Sequence, residues 1–340
     1  MDKRKQWIDI SKGLGIILVI WCHIAIDDGI ILLWVTSFTL QIFLFLSGYV
    51  FKNNCKPIEY IKRKAKAYIG GYFILAVPMF MFTVAMGLYQ KTMDSSEFFS
   101  IVVGLLIQKR YWVLWYLPCL FWVSIIFYFI IRLLGRSQIN VALVIIILYV
   151  CGIIYYKLGG EALPWNFDTW MTSLPFFYFG YLIKNRIDGI RTLIEKKWKV
   201  VIMISVCIVI NIGLTLLSYR MSGEAFNVND CTYGFAPFTF VAAIAGVSGT
   251  VLISTLMRSK IIEFIGRNSL IFFAWHEKIM IHLVNRILKV FGVVHQEGWS
   301  FPVRTMYWVG VEILIILGLS ICAWLINCFK TKYKTETNRK

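Results

Sequence analysis

Long runs of apolar residues, broken by short polar stretches, run the length of the chain, and few of them carry a polar face. Segments 13–26, 140–156 and 310–328 are apolar all the way round a helical projection, whereas a helix on a soluble domain shows one apolar stripe and one polar face. With their flanks such runs reach across a hydrocarbon core of about 30 Å at about 1.5 Å per residue. The pattern predicts ten spans, near 10–27, 30–51, 68–88, 113–133, 140–157, 170–184, 200–218, 237–256, 268–288 and 306–328. The predicted fold class is therefore all-α, a polytopic membrane protein with about ten transmembrane helices. Three of the spans begin near a proline, at Pro118, Pro175 and Pro237. Proline is tolerated in a first helical turn because its missing N–H would have had no partner there.

Composition agrees with the pattern. Hydrophobic residues make up 59% and charged residues 16%, with a mean hydropathy of +0.71, against roughly 25% charged in soluble domains. The net charge of +17 would suit a nucleic-acid binder, but its placement argues otherwise. With residues at span ends assigned to the nearer side, 25 of the 35 basic residues fall on the side of the N-terminus and 8 on the other. Basic residues gather on the cytoplasmic side of membrane proteins, so both termini are expected in the cytoplasm and no nucleic-acid partner is implied. Residues 1–329 are read as one transmembrane domain and 330–340 as a basic cytoplasmic tail. Asp27 and Asp28 stand where a signal peptide would need small residues for cleavage, so the first span is expected to be retained. The eight cysteines contain no C-x-x-C pair, and six lie within spans, so neither a disulfide framework nor a metal site is expected.

Ionisable residues within apolar spans carry the chemistry, because each costs about 2.5–3.5 kcal/mol to insert. Counted from Ile8, His23 lies about 22 Å from the cytoplasmic edge. Asp27 follows it by four residues and shares its helical face. A carboxylate there can hold one imidazole nitrogen protonated and leave the other free as a base, an arrangement suited to taking a proton from a hydroxyl. The same placement also suits a histidine at the outer interface beside a solvated Asp27, and position alone does not separate the two.

The run WIDISKGLGIILVIWCH at 7–23, followed by FLFLSGYVF at 43–51, resembles the opening of the acyltransferase-3 family of integral membrane acyltransferases. The family is marked by a basic residue separated by ten residues from a histidine in the first span, as Lys12 and His23 are here. The resemblance continues through YWVLWYLPCLF at 111–121 and FIGRNSLIFFAWH at 264–276, and so covers nearly the whole chain. It implies transfer of an acyl group, commonly acetyl from acetyl-CoA, to a hydroxyl of a cell-surface or exported carbohydrate, with no metal. His23 matches the family's essential histidine and Lys12 its basic partner in the first span.

The physical reading fits what the resemblance implies. A thioester is already activated, so the enzyme needs a base, donors for the oxyanion and a dry site. Lys12 lies about 16 Å from His23 toward the cytoplasm, a separation comparable to an extended pantetheine arm, and could meet the CoA phosphates. A snorkelling lysine would occupy the same position. Arg63 and Lys66 share a face in the basic stretch 61–72 and could grip a CoA phosphate, although positive-inside statistics alone would produce the same cluster. Counted from Asn268 as a helix cap, His276 lies about 12 Å in, nearer the cytoplasm than His23. It could line a donor tunnel or serve as a buried structural histidine. His276, Glu277 and Lys278, consecutive on a helix, are expected to face different neighbours, and Glu312 is expected to pair with another helix. Trp115 and Tyr116 open the fourth span at the outer face, where a sugar acceptor could stack on them. Ser47 and Gly48 read as a small-residue surface for close helix packing. A transporter or flippase of a lipid-linked saccharide or small solute is the competing reading, but no pair of broken helices in corresponding halves supports it. Expected partners are acyl-CoA, a carbohydrate or glycolipid acceptor and membrane lipid, with a homo-oligomer left open. The expected location is a bacterial plasma membrane.

Overall fold

Backbone amides in hydrocarbon have no water to bond with, so spanning segments must satisfy them internally. The computed structural model describes residues 6–25, 29–185, 196–296 and 298–337, and it is 81% helical, with no strand among the described residues. Among the described residues, eight helical stretches are long and apolar enough to cross a membrane: Gln6–Ile24, Gly29–Tyr49, Pro57–Gln90, Val113–Leu134, Gln138–Lys157, Lys197–Ser222, Ala236–Leu256 and Phe301–Thr331. The two remaining predicted spans are also helical, one a short helix and the other a chain of shorter pieces.

In chain order the helices are α1 (Gln6–Ile24), α2 (Gly29–Thr36), α3 (Thr39–Tyr49), α4 (Pro57–Lys64), α5 (Gly70–Gln90), α6 (Ser95–Ile107), α7 (Tyr116–Leu134), α8 (Gln138–Lys157), α9 (Trp170–Asn185), α10 (Lys197–Ser222), α11 (Ala236–Leu256), α12 (Lys260–Arg267), α13 (Ser269–Trp275), α14 (His282–Val290) and α15 (Phe301–Thr337). Short π-helical segments join α4 to α5 over Ala65–Ile69 and α13 to α14 over His276–Ile281. Pro118 and Pro237 fall in first turns, as expected, while Pro175 sits inside α9.

Several differences from the sequence reading have local causes. The second span breaks at Ser37–Phe38, where Asn211 of α10 donates to Ser37 Oγ (3.0 Å) and the Ala242 carbonyl (2.8 Å) and accepts from Trp34 Nε1 (2.5 Å). That polar cluster satisfies groups that a break would otherwise leave bare in an apolar layer. The third span begins eleven residues early because the basic stretch is itself helical, starting from Pro57 in the first turn. Helix α6 was not expected. Its first turn is capped by Asp94, which accepts from the Glu97 amide at 2.7 Å, and at 13 residues it is too short to span.

Burial grades from centre to edge. Helices α1, α3, α7 and α11 supply much of the core, whereas α8 and α10 keep most of their apolar surface outward. Close approach is set by glycine. A Cβ on Gly13 would strike the Ile262 carbonyl, and one on Gly266 the Asp9 carbonyl, so α12 crosses α1 nearly backbone to backbone. The expected packing surface at Gly48 is realised in the same way against the Phe177 backbone of α9.

Candidate active site

His23 lies in the last turn of α1, and its ring stacks on that of His276, with centroids 4.8 Å apart and planes at 24°. This corrects the expectation that His276 lies nearer the cytoplasm. Gly266 already sits against the Asp9–Gly13 turn of α1, and ten residues later the chain reaches the level of His23, itself ten residues beyond Gly13. Asn268 is therefore no membrane-edge cap. Its amide instead donates to the Phe264 carbonyl (2.9 Å), and its side-chain oxygen accepts from Asn327 (3.0 Å).

His276 is wholly buried. Its Nδ1 lies 2.8 Å from the Phe273 carbonyl and 3.1 Å from that of Phe272. Carbonyls only accept, so Nδ1 carries the proton and Nε2 keeps a lone pair, which has no hydrogen-bond partner among the described residues. Glu277 and Lys278, expected to face apart, form an ion pair at 3.3 Å on the π-helical segment. Glu312 of α15 is buried, with one carboxylate oxygen unpartnered among the described residues. Asp27 lies outside the described residues.

Two cavities meet here. One, of about 360 Å³, is lined by His23, Thr36, Gln41, Trp115, Asn229 and Asp230 among others. The other, of about 280 Å³, is lined by Lys12, Ser47, Tyr68, Tyr116 and Leu117. Phe273 lines both. Its ring stands edge-on to Tyr116 at 5.7 Å, and Tyr116 in turn contacts Phe43 at 6.4 Å, so aromatic rings gather at the wall the two cavities share. Trp115 and Tyr116, expected to share the outer face, are both buried and face different cavities. The 3₁₀ turn Val113–Trp115 running into α7 points consecutive side chains in different directions.

From the basic stretch, Ala67 and Tyr68 reach the Lys12 cavity, and Lys64 donates to the Tyr68 hydroxyl (3.3 Å). Arg63 and Lys66 do not line it. Both are exposed, and the π-helical segment after Lys64 turns Tyr68 inward in their place.

Some polar groups that shape the site carried no usable signal in the sequence. Gln41 is buried at 1% exposure with no partner for Oε1 among the described residues, and Asn229 Oδ1 is likewise buried with none among them; both residues line the His23 cavity. An unmet buried acceptor costs about 1–3 kcal/mol, so such atoms call for a ligand or a water. Gln41 sits unmarked in an apolar run, and Asn229 in a loop.

Arg110 organises the surrounding loops. It pairs with Asp168 and donates to the Tyr156 hydroxyl (3.1 Å) and Cys231 Sγ (2.7 Å), while its amide donates to Asn166 Oδ1 (2.9 Å). Tyr156 also donates to Asp168, and Asn166 donates to the Trp115 carbonyl at 3.1 Å. Burial pushes the Cys231 thiol up to about 11, against the opposing pull of the Tyr156 hydrogen bond and the Arg110 charge. The network fastens the loop carrying Asn229 and Asp230 to the start of α7, beside His23.

The arrangement places an imidazole and unmet hydrogen-bond acceptors in one cavity, a lysine in a second, and one phenylalanine ring between them. No curated protein and no solved structure matches the chain. A family model described as an acyltransferase domain (Acyl_transf_3) matches residues 5–327, nearly the whole chain. The Lys12–His23 spacing, the all-helical membrane fold and that match agree: the chain belongs to the acyltransferase-3 family and is an integral, multi-pass membrane acyltransferase.

Proposed function

We propose that the protein transfers an acyl group, acetyl in the simplest case, from acyl-CoA in the Lys12 cavity to a carbohydrate hydroxyl in the His23 cavity. The carrying observation is Phe273, a common wall of the two cavities. Donor and acceptor approach from opposite sides of one ring, and only a small acyl group needs to pass it. The placement of basic residues in the sequence supports a cytoplasmic Lys12 side, where acyl-CoA is found.

His23 takes the proton of the acceptor hydroxyl as its oxygen attacks the thioester carbonyl carbon. The C–S bond then breaks, the ester forms, and the proton passes to the departing CoA thiolate, so no outside oxidant or reductant is needed. His276 stacks against the His23 ring and holds its orientation. Tyr116 has a buried hydroxyl with no partner among the described residues, and it donates to the carbonyl oxygen as negative charge develops there. Lys12 holds a CoA phosphate. Gln41 and Asn229 accept hydrogen bonds from the hydroxyls of the sugar, which supports a polyhydroxyl acceptor over a lipid alcohol. The apolar lining keeps water from the thioester.

The test is acyl transfer by purified protein in lipid, following free CoA and acylated product with acetyl-CoA and a pool of cell-envelope glycans. Wild type forms product. His23→Ala loses at least about 100-fold in rate, the usual share of a general base, while still binding CoA. A His23→Ala variant as fast as wild type would remove His23 from the chemistry. A protein that moves a labelled saccharide across vesicles without binding CoA would be a transporter.

A further inference from the structure

A third cavity, of about 570 Å³, lies beside the His23 site, between the end of α5, α6 and the π-helical segment before α14. Its floor is Tyr111 and Trp112, whose rings stack at 5.0 Å and 24°, with Lys278 Nζ 6.0 Å from the Trp112 ring centre. Gln90, Glu97 and His282 stand at the rim and are exposed. None of these residues has a part in the transfer chemistry above.

The floor is held at a conformational cost. Gln108, Arg110 and Trp112 have φ of 50°, 54° and 52°, in the left-handed region that favours glycine, and Trp112, with ψ of −178°, is close to a conformation that is almost glycine's alone. Specific bonds hold this run. Gln108, wholly buried, donates to the Tyr72 hydroxyl (3.0 Å) and accepts from the Tyr111 amide (2.6 Å), and Arg110 is tied to Asn166 and Asp168. Strain retained in this way is common where a segment must present side chains to a ligand. Here it turns Tyr111 and Trp112 into the third cavity, while Val113 and Trp115, next along the chain, line the His23 cavity.

The lining chemistry narrows the occupant. Lys278 is neutralised by Glu277, and Glu97 adds a carboxylate at the rim, so the cavity is no anion trap. Gln90, Thr92, Glu97 and His282 supply both donors and acceptors around an aromatic floor. An apolar tail could form no hydrogen bond with these rim groups. A saccharide ring suits the set, because its C–H face packs on aromatic rings and its hydroxyls both donate and accept. From Trp112 to Trp115 the backbone spans at most about 11 Å, the scale of neighbouring units in one glycan.

We infer that the Tyr111–Trp112 cavity is a second saccharide subsite, which holds a unit of the acceptor glycan next to the one whose hydroxyl meets His23. This rests on the carbohydrate acceptor proposed above. The enzyme would therefore select oligomeric or polymeric acceptors over free monosaccharides.

The test separates binding from chemistry. His23→Ala protein in lipid nanodiscs is titrated with malto- and chito-oligosaccharides of one to four units, and affinity is read by calorimetry. Affinity should rise about tenfold between one unit and three. The added variant Trp112→Ala should abolish the rise. Gln90→Ala, at an exposed helix end where the fold is not at stake, should cut it severalfold and leave monosaccharide binding unchanged. A rise that persists in both variants, or the absence of oligosaccharide binding in a protein that still binds CoA, overturns the inference. Acetyl transfer by wild type is scored separately: if no saccharide is acetylated the proposed function falls, whereas transfer with a chain-length preference indifferent to Trp112 sinks only the subsite.

Discussion

The two cavities that share Phe273 differ in chemistry more than in size. On the Lys12 side the lining includes Phe43, Tyr68, Tyr116 and Leu117 around one ammonium and the hydroxyls of Ser47 and Ser269. On the His23 side it holds Gln41, Asn227, Asn229 and Asp230, with two carbonyl-type oxygens that have no partner among the described residues. In the proposed reaction the first is the slot that would keep the thioester dry. The second is a set of hydrogen-bonding groups, to which the proposed reaction brings the hydroxyls of an acceptor. On the proposed function, the difference would let one membrane domain handle an activated donor and a hydrated acceptor without mixing them: each would enter surroundings that match its own polarity, with the Phe273 ring in the shared wall.

The comparison can be broken most severely at Tyr116. If its hydroxyl stabilises the oxyanion, Tyr116→Phe keeps the packing of the ring and lowers kcat about 100-fold, with KM for acyl-CoA nearly unchanged. A loss confined to KM would make Tyr116 part of the donor slot alone. Next comes the partition itself. Phe273→Ala merges the cavities, and the ratio of acyl-CoA hydrolysis to transfer should rise about tenfold as water reaches the thioester; an unchanged ratio would mean that other groups keep the donor dry. Lys12→Gln then tests the donor side, with KM for acyl-CoA raised about tenfold and kcat retained, the size expected for losing a charged contact. A variant that bound CoA normally would return Lys12 to the role of a snorkelling residue.

The smallest effect concerns the loop over the His23 side. The Cys231 thiol, pushed up to about 11 chiefly by burial, is protonated at neutral pH. The thiolate is the reactive form, so alkylation should be slow at pH 7.5 and should rise about tenfold per pH unit until pH approaches 11. Fast labelling at pH 7.5 would mean that the Arg110 network does not hold that loop closed.

Much of this architecture was legible in the sequence. Uniformly apolar runs mark the spans because hydrocarbon leaves no alternative to helices, and the ten-residue interval between Lys12 and His23 survives folding because α1 is one unbroken helix. Legibility ended at helix breaks. The π-helical segment at Ala65–Ile69 turned Tyr68, and neither Arg63 nor Lys66, toward the donor slot, and the crossing of α12 over α1 at Gly13 and Gly266 raised His276 to the level of His23. Counting residues from an assumed cap could register neither event.

The sequence by itself determined that the chain is a helical membrane protein, which family its motifs resemble, and that His23 and Lys12 sit on one helix a fixed distance apart, since hydropathy and helical rise are local properties. Only the tertiary structure decided which residues meet: that His276 stacks on His23, that Phe273 stands between two cavities, that Trp115 and Tyr116 face different ones, and that Arg110 reaches Asp168 and Cys231. Those meetings depend on helix crossings and backbone kinks, where a shift of one residue turns a side chain by about 100°, and no local pattern in the chain encodes the outcome.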